Sequence, residues 1–149
     1  MLHFIIYGLL GWCLEIVWTG MGSLLNRDVR LTAQTYLWMF PIYGSAILFE
    51  PVHDAIRYWP VWERGVVWMV LCFGLEYGTG ALLRALVGTA PWNYSRAPLA
   101  VHGLIRLDYA PAWLVAGLLF EAVHDWLDGL PLGEGVRQIM EAVLWLRTT

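Results

Sequence analysis

Four long apolar stretches, near residues 2–25, 33–57, 62–87 and 107–130, alternate with shorter polar breaks. Each exceeds the roughly 20 residues that a helix needs to cross a hydrocarbon core of about 30 Å. The pattern predicts an all-α integral membrane four-helix bundle, in a single membrane domain over 1–149. The breaks near 26–30 and 58–61 are short, so consecutive spans are expected as antiparallel neighbours. The third break, 88–106, is long and too apolar for a loose linker. It is expected as a re-entrant or interfacial segment, because irregular backbone at membrane depth must be covered by protein. Beyond Pro131 and Gly133, apolar Val136, Ile139, Met140, Val143 and Leu144 interleave with Glu134, Arg137, Gln138 and Glu141. That spacing predicts an amphipathic helix over about 134–147, lying on the interface.

Composition supports a membrane setting. The chain is 59% hydrophobic and 14% charged, where soluble domains carry about 25% charged residues. Ten tryptophans and seven tyrosines include many at segment ends, among them Tyr58, Trp59, Trp62, Trp92 and Tyr94. Aromatic belts form there. The first stretch has no basic flank or small-residue cleavage site, and it carries Glu15, so a retained helix is expected. Arginines divide evenly between the two sides of a four-span topology, so loop charge assigns no orientation. A net charge of −3 argues against nucleic acid as a partner. The lipid bilayer is the expected partner, with a homo-oligomer or larger membrane complex beyond it. Cys13 and Cys72 fall inside spans and are expected as small buried apolar residues, not a disulfide.

The chain repeats one hexad. Phe49-Glu50-Pro51-Val52-His53-Asp54 returns as Phe120-Glu121-Ala122-Val123-His124-Asp125, and each copy is followed at equal distance by a proline, Pro60 or Pro131. This predicts two parallel two-helix repeats related by an axis along the membrane normal. Glu-x-x-His places a carboxylate and an imidazole on one helix face. Two such pairs plus a Glu from each of two other helices form the ligand set of di-metal carboxylate bundles. Here the set would be Glu15, Glu50, His53, Glu76, Glu121 and His124, with Asp54 and Asp125 as partners of the imidazole N–H groups. Oxygen and imidazole donors suit iron or manganese, with redox or oxygen chemistry on a membrane-soluble substrate. Alternatively, His53 and His124 grip a b-type haem. Levels along the helices oppose a single six-ligand centre: by helix rise, Glu50 and Glu76 differ by roughly 9 Å, and Glu15 and Glu50 by roughly 12 Å.

Ionisable groups inside spans are costly unless paired, so Glu15 and Glu76 are functional candidates in any reading. Their plain role would be an ion pair, for instance with Arg84 or Arg106. The rival function is a transporter or permease in which they line the pathway. A third is an accessory subunit of a larger membrane complex.

A resemblance enters at the long loop. Trp92-Asn93-Tyr94-Ser95, His102-Gly103-Leu104-Ile105-Arg106-Leu107 and Trp113 resemble a motif of the family called Putative ABC-transporter type IV, or CmpB-like. Gly11-Trp12-x-x-Glu15, Pro41-Ile42-Tyr43-Gly44 and Glu76-Tyr77 are similar to its other motifs, in the same order. The resemblance spans all four stretches and implies a permease. No G-x-x-x-x-G-K-[ST] phosphate loop occurs in these residues. His102 stands where the family usually has Asn, and the doubled Glu-x-x-His-Asp is not a family feature.

Overall fold

The structure is a computed structural model and describes residues 1–131. Five helices run in the order α1 (Leu2–Leu25), α2 (Met39–Gly44), α3 (Glu50–Ile56), α4 (Val61–Val87) and α5 (Ala110–Asp128). The chain divides into one unit over Met1–Leu118 and a second from Leu119 onward. The amphipathic helix expected near 134–147 lies outside the described residues.

Among the described residues two helices, α1 and α4, are long and apolar enough to cross a membrane. Their outward side chains are apolar: Leu9, Leu14, Val17 and Trp18 on α1, and Val66, Val70, Leu82 and Leu86 on α4, all exposed within the chain. A surface of that kind is too large and too apolar for water. Lipid is the solvent that suits it, and the chain is membrane-associated.

The second predicted stretch departs from a single helix. Residues 31–38 are not helical and run back along α1 as a strap. Thr19 Oγ1 donates to Gln34 O (3.1 Å) and accepts from Gln34 N (3.0 Å), Ser23 Oγ donates to Thr32 O (2.5 Å), and Trp12 Nε1 donates to Tyr36 O (2.9 Å). Side-chain hydroxyls thus satisfy backbone groups that a helix would satisfy internally, as an apolar setting requires. The helix then starts at Met39 and passes through a 3-10 stretch, Ser45–Phe49, before α3. Pro51 sits in the first turn of α3. It has no N–H to give to the carbonyl four residues back, so the backbone tightens there.

Close helix contact rests on glycine. A Cβ on Gly8 would meet Phe40 at 2.7 Å, one on Gly11 would run into the Tyr43 ring, and one on Gly44 would meet Phe4 at 2.8 Å. In the other half, a Cβ on Gly65 would meet Leu114 at 2.8 Å, and Gly117 lies directly against Trp68. Small residues let membrane helices approach until van der Waals contact is continuous. The core of the first unit is Met39, Ile42 and Leu83, with Trp12, Tyr43, Leu75 and Trp92 packed on it.

The 88–106 segment is a folded element. Ala100–Val101 pairs antiparallel with Ile105–Arg106. His102 (φ 53°) and Gly103 (φ 69°) are both left-handed, and Leu104 N bonds to Val101 O at 3.0 Å. This is a type I′ turn, which favours Asn-Gly because both central residues need positive φ. The expected Asn at position 102 has this physical reason. His is among the few other residues that tolerate the conformation, and its Nδ1 lies 2.8 Å from the Tyr77 hydroxyl. The hairpin is pinned by Tyr94 N to Gly103 O (2.9 Å) and Trp92 Nε1 to Leu104 O (2.7 Å). Trp92 and Leu104 both seat against Gly80 of α4. An all-α reading therefore lacks one small two-stranded element.

Cys13 and Cys72 are free thiols, and Cys13 is exposed, not buried as expected. At the α1 end, Asp28 accepts from Arg30 N at 3.0 Å. A hydrogen bond from Thr32, then that of Arg30, holds its carboxyl below the usual range. A depressed carboxylate stabilises the folded state above its unfolded value and loses that contribution as pH falls through the folded value. The melting temperature of wild type is therefore expected to fall below about pH 4, more than that of Asp28→Asn. Parallel acid melting curves for the two proteins would contradict the assignment.

Candidate functional site

Two polar clusters lie in the first unit, and they share no residue. The larger gathers around Glu15 and Glu76. The Thr35 hydroxyl, delivered by the strap, donates to Glu15 Oε2 at 2.7 Å. The Tyr43 hydroxyl of α2 bonds to the same carboxyl and lies within electrostatic reach of Glu76 and Cys72 on α4. Glu76 receives the Tyr94 hydroxyl from the hairpin. The Trp113 indole N–H of α5 is turned toward that carboxyl as well but stops short of a bond. Trp113 Nε1 and Glu76 Oε2 are both buried atoms without a partner among the described residues.

Outward from Tyr94 the cluster continues to Tyr109 and Arg106. The Tyr94 and Tyr109 rings meet edge-on at 5.9 Å. The Arg106 guanidinium lies 4.3 Å from the Tyr109 centroid and 6.0 Å from that of Tyr94, within the range of cation–π attraction. Asp108 takes Arg106 in a two-pronged pair, with Nε to Oδ1 at 2.9 Å and Nη2 to Oδ2 as the second contact. Trp18 packs on Tyr109 at 5.8 Å.

The plain reading of the two glutamates was an ion pair with Arg84 or Arg106. Both guanidiniums are committed elsewhere: Arg84 donates to His102 O at 3.0 Å, and Arg106 binds Asp108. Among the described residues the carboxyls of Glu15 and Glu76 have only neutral donors, namely Thr35, Tyr43, Tyr94 and the nearby Trp113. Neutral donors stabilise a carboxylate without cancelling its charge. Neither carboxyl has a cationic partner among the described residues.

The smaller cluster holds the first hexad. Glu50 Oε1 lies 2.7 Å from His3 Nδ1 and accepts from the Tyr7 hydroxyl at 2.9 Å. His53 is buried and faces Trp68, ring centroids 6.4 Å apart. Asp54 is exposed, 3.7 Å from Arg57, and so turns outward and not toward an imidazole. In the second unit Glu121 and His124 are buried. His124 stacks on Phe120 at 6.0 Å and lies 3.5 Å from Asp128. Asp125 is exposed.

Tyr43 bonds to Glu15 and lies within electrostatic reach of Glu76, and Glu50 has other partners. Glu50 is level with Tyr7 on α1, and Glu15 is eight residues further along that helix, or about 12 Å of rise. Glu15 and Glu50 thus stand at different levels along α1. Sequence reasoning missed His3, Tyr7, Thr35, Tyr109 and Asp108. His3 and Tyr7, four residues apart on an otherwise apolar stretch, were the available signal.

Long helices sheathed in apolar side chains beside a tyrosine-lined acidic cluster define a membrane-associated helical protein. The pattern of the family described as Putative ABC-transporter type IV matches residues 2–146, and the chain belongs to that family. No solved structure matches the chain. Within the cluster, Glu15, Tyr43, Glu76, Tyr94, Arg106 and Trp113 all come from the motifs that carried the resemblance. His102 and the Trp92-Asn93-Tyr94-Ser95 run shape the hairpin that brings Tyr94 in, with Asn93 Oδ1 accepting from Ser95 N at 2.9 Å.

Proposed function

We propose that the chain is a transporter-type membrane protein in which Glu15 and Glu76 are the pathway carboxylates. The observation that carries this reading is their setting: carboxyls on α1 and α4, the two apolar helices, answered among the described residues by neutral donors and by no basic partner. Ionisable groups kept at such a cost inside a membrane mark ion and substrate paths. In this reading, α2–α3 and α5 join α1 and α4 as four spans built from two parallel repeats, and the large–small contacts at Gly44 and Gly117 are the repeated seam. The family description points the same way. No phosphate-loop sequence occurs in these 149 residues. Proton movement through Glu15, Tyr43, Glu76 and Tyr94 needs none.

The test is proton flux in liposomes. Wild-type protein is expected to dissipate an imposed pH gradient at least tenfold faster than empty vesicles, and Glu15→Gln to return the rate to near background. A wild-type rate equal to that of empty vesicles would overturn the reading.

A second reading, metal ligation at the hexads, is supported by the burial of His53, Glu121 and His124. It expects iron or manganese in the purified protein, lost in His53→Ala. Metal-free, folded protein would exclude it.

A further inference from the structure

We infer that the first unit binds anionic phospholipid headgroups at the end where α1 and α4 finish, through Arg27, Arg30, Arg84 and Arg96. The inference goes beyond the transport reading and does not depend on it.

The two helices finish on one side. Glu50, before the turn into α4, meets His3 and Tyr7 at the start of α1. Tyr109, beyond the hairpin that follows α4, meets Trp18 in the second half of α1. Arg84 lies in the last turn of α4, and Ser95, the neighbour of Arg96, lies against Gly103 in the hairpin turn.

Three observations carry the inference. First, the four arginines are exposed, and none meets a carboxylate among the described residues. Arg84 gives one N–H to His102 O at 3.0 Å, which fixes the side chain and leaves its other donors open. Asp28, the acid between Arg27 and Arg30, accepts instead from Arg30 N and from Thr32. From Tyr77 to Leu107 the chain has three arginines and no acid. Of these only Arg106 is paired, with Asp108.

Second, the opposite end of the unit is built differently. Arg57 lies 3.7 Å from Asp54, and Arg64 donates to Arg57 O and Trp59 O. Cationic side chains are matched there and left open at the α1–α4 end.

Third, apolar side chains stand beside the open guanidiniums. Leu24, Leu25 and Val29 flank Arg27, and Leu82, Leu86 and Val87 flank Arg84, all of them exposed. A phospholipid offers both halves of that surface. Its acyl chains cover the leucines, and its phosphodiester takes the guanidinium fork. Arginine near a helix end reaches the headgroup layer in this way. Free phosphate has no apolar part to cover the leucines. A zwitterionic headgroup offsets its phosphate with its own ammonium, whereas an anionic one leaves that charge to the protein. Each arginine near such a surface contributes about fivefold in affinity.

The experiment titrates the full chain in neutral detergent with phosphatidylglycerol carrying a dansyl group on its acyl chain. Energy transfer from tryptophan is the signal, and the same label on phosphatidylcholine is the reference. Wild type is expected to prefer phosphatidylglycerol by about tenfold or more, and the Arg30→Gln, Arg96→Gln double variant to cut that preference by about fivefold or more. Neither side chain has a partner among the described residues, so the variant is expected to melt as wild type does. Should its melting temperature differ, Arg96→Gln alone supplies the comparison. Arg57→Gln, at the matched end, is expected to leave the preference unchanged. Equal binding of the two lipids by wild type would overturn the inference. A preference that survives in the double variant, or that Arg57→Gln lowers equally, would also overturn it. So would displacement of the labelled phosphatidylglycerol by inorganic phosphate at matched ionic strength, which would mark a site for free anions.

Discussion

Gly11→Val is expected to lower stability by about 3 kcal/mol, a melting shift of roughly 10 °C for a chain of this size. Gly11 lies so close to the Tyr43 ring that any Cβ would occupy the space of Cγ and Cβ of that side chain. Tyr43 packs on the Met39–Ile42–Leu83 core, so it has little room to yield, and close-packed interiors transmit such strain. The collision also displaces the hydroxyl that binds Glu15. Loss of stability and loss of transport should therefore come together. Gly74 is the control. A Cβ there meets nothing within 4 Å, so Gly74→Val on the same kind of apolar helix should stay within about 0.5 kcal/mol of wild type. Thermal melting in detergent reads the difference. Equal shifts for the two variants would refute the close contact.

Glu76→Gln is expected to reduce proton-linked transport at least tenfold while leaving the fold intact. Gln keeps the shape and can still accept from the Tyr94 hydroxyl. It cannot release or bind a proton near neutral pH. Tyr94→Phe removes one donor to the carboxyl and not the carboxyl itself, so its loss should be smaller, about three- to tenfold, in the range of one ordinary hydrogen bond. A Glu76→Gln protein that transports at the wild-type rate would remove Glu76 from the path.

The membrane character was legible from composition and from α1 and α4, where long apolar runs leave few alternatives. The second and fourth stretches were harder. Pro51 and the Thr32–Gln34–Thr35 strap turn an apparently continuous stretch into a strap, a short helix and a 3-10 link. Hydropathy cannot see hydroxyls on α1 that capture a partner strand. The hairpin was encoded in His102-Gly103, a turn signal masked because His replaces the usual Asn. Glu15 and Glu76 stood out in the sequence by their cost inside a span, and the motifs pointed to the tyrosines and tryptophan that lie beside them, Tyr43, Tyr94 and Trp113. The doubled hexad pointed elsewhere, toward a metal centre that would gather six groups. Spacing along the helices already opposed that gathering, and Glu50 bonds to His3 and Tyr7. A glutamate one turn from a histidine on the same helix still takes its partner from whichever helix lies opposite.

The central claim is that Glu15 and Glu76 serve one path. Proton flux through Glu15→Gln, Glu76→Gln and the double variant tests it most directly, because two groups acting on one path give strongly non-additive losses. The double variant is expected to transport no more slowly than the worse single variant. Losses that multiply, with the double variant slower by the product of the two single effects, would contradict a shared path.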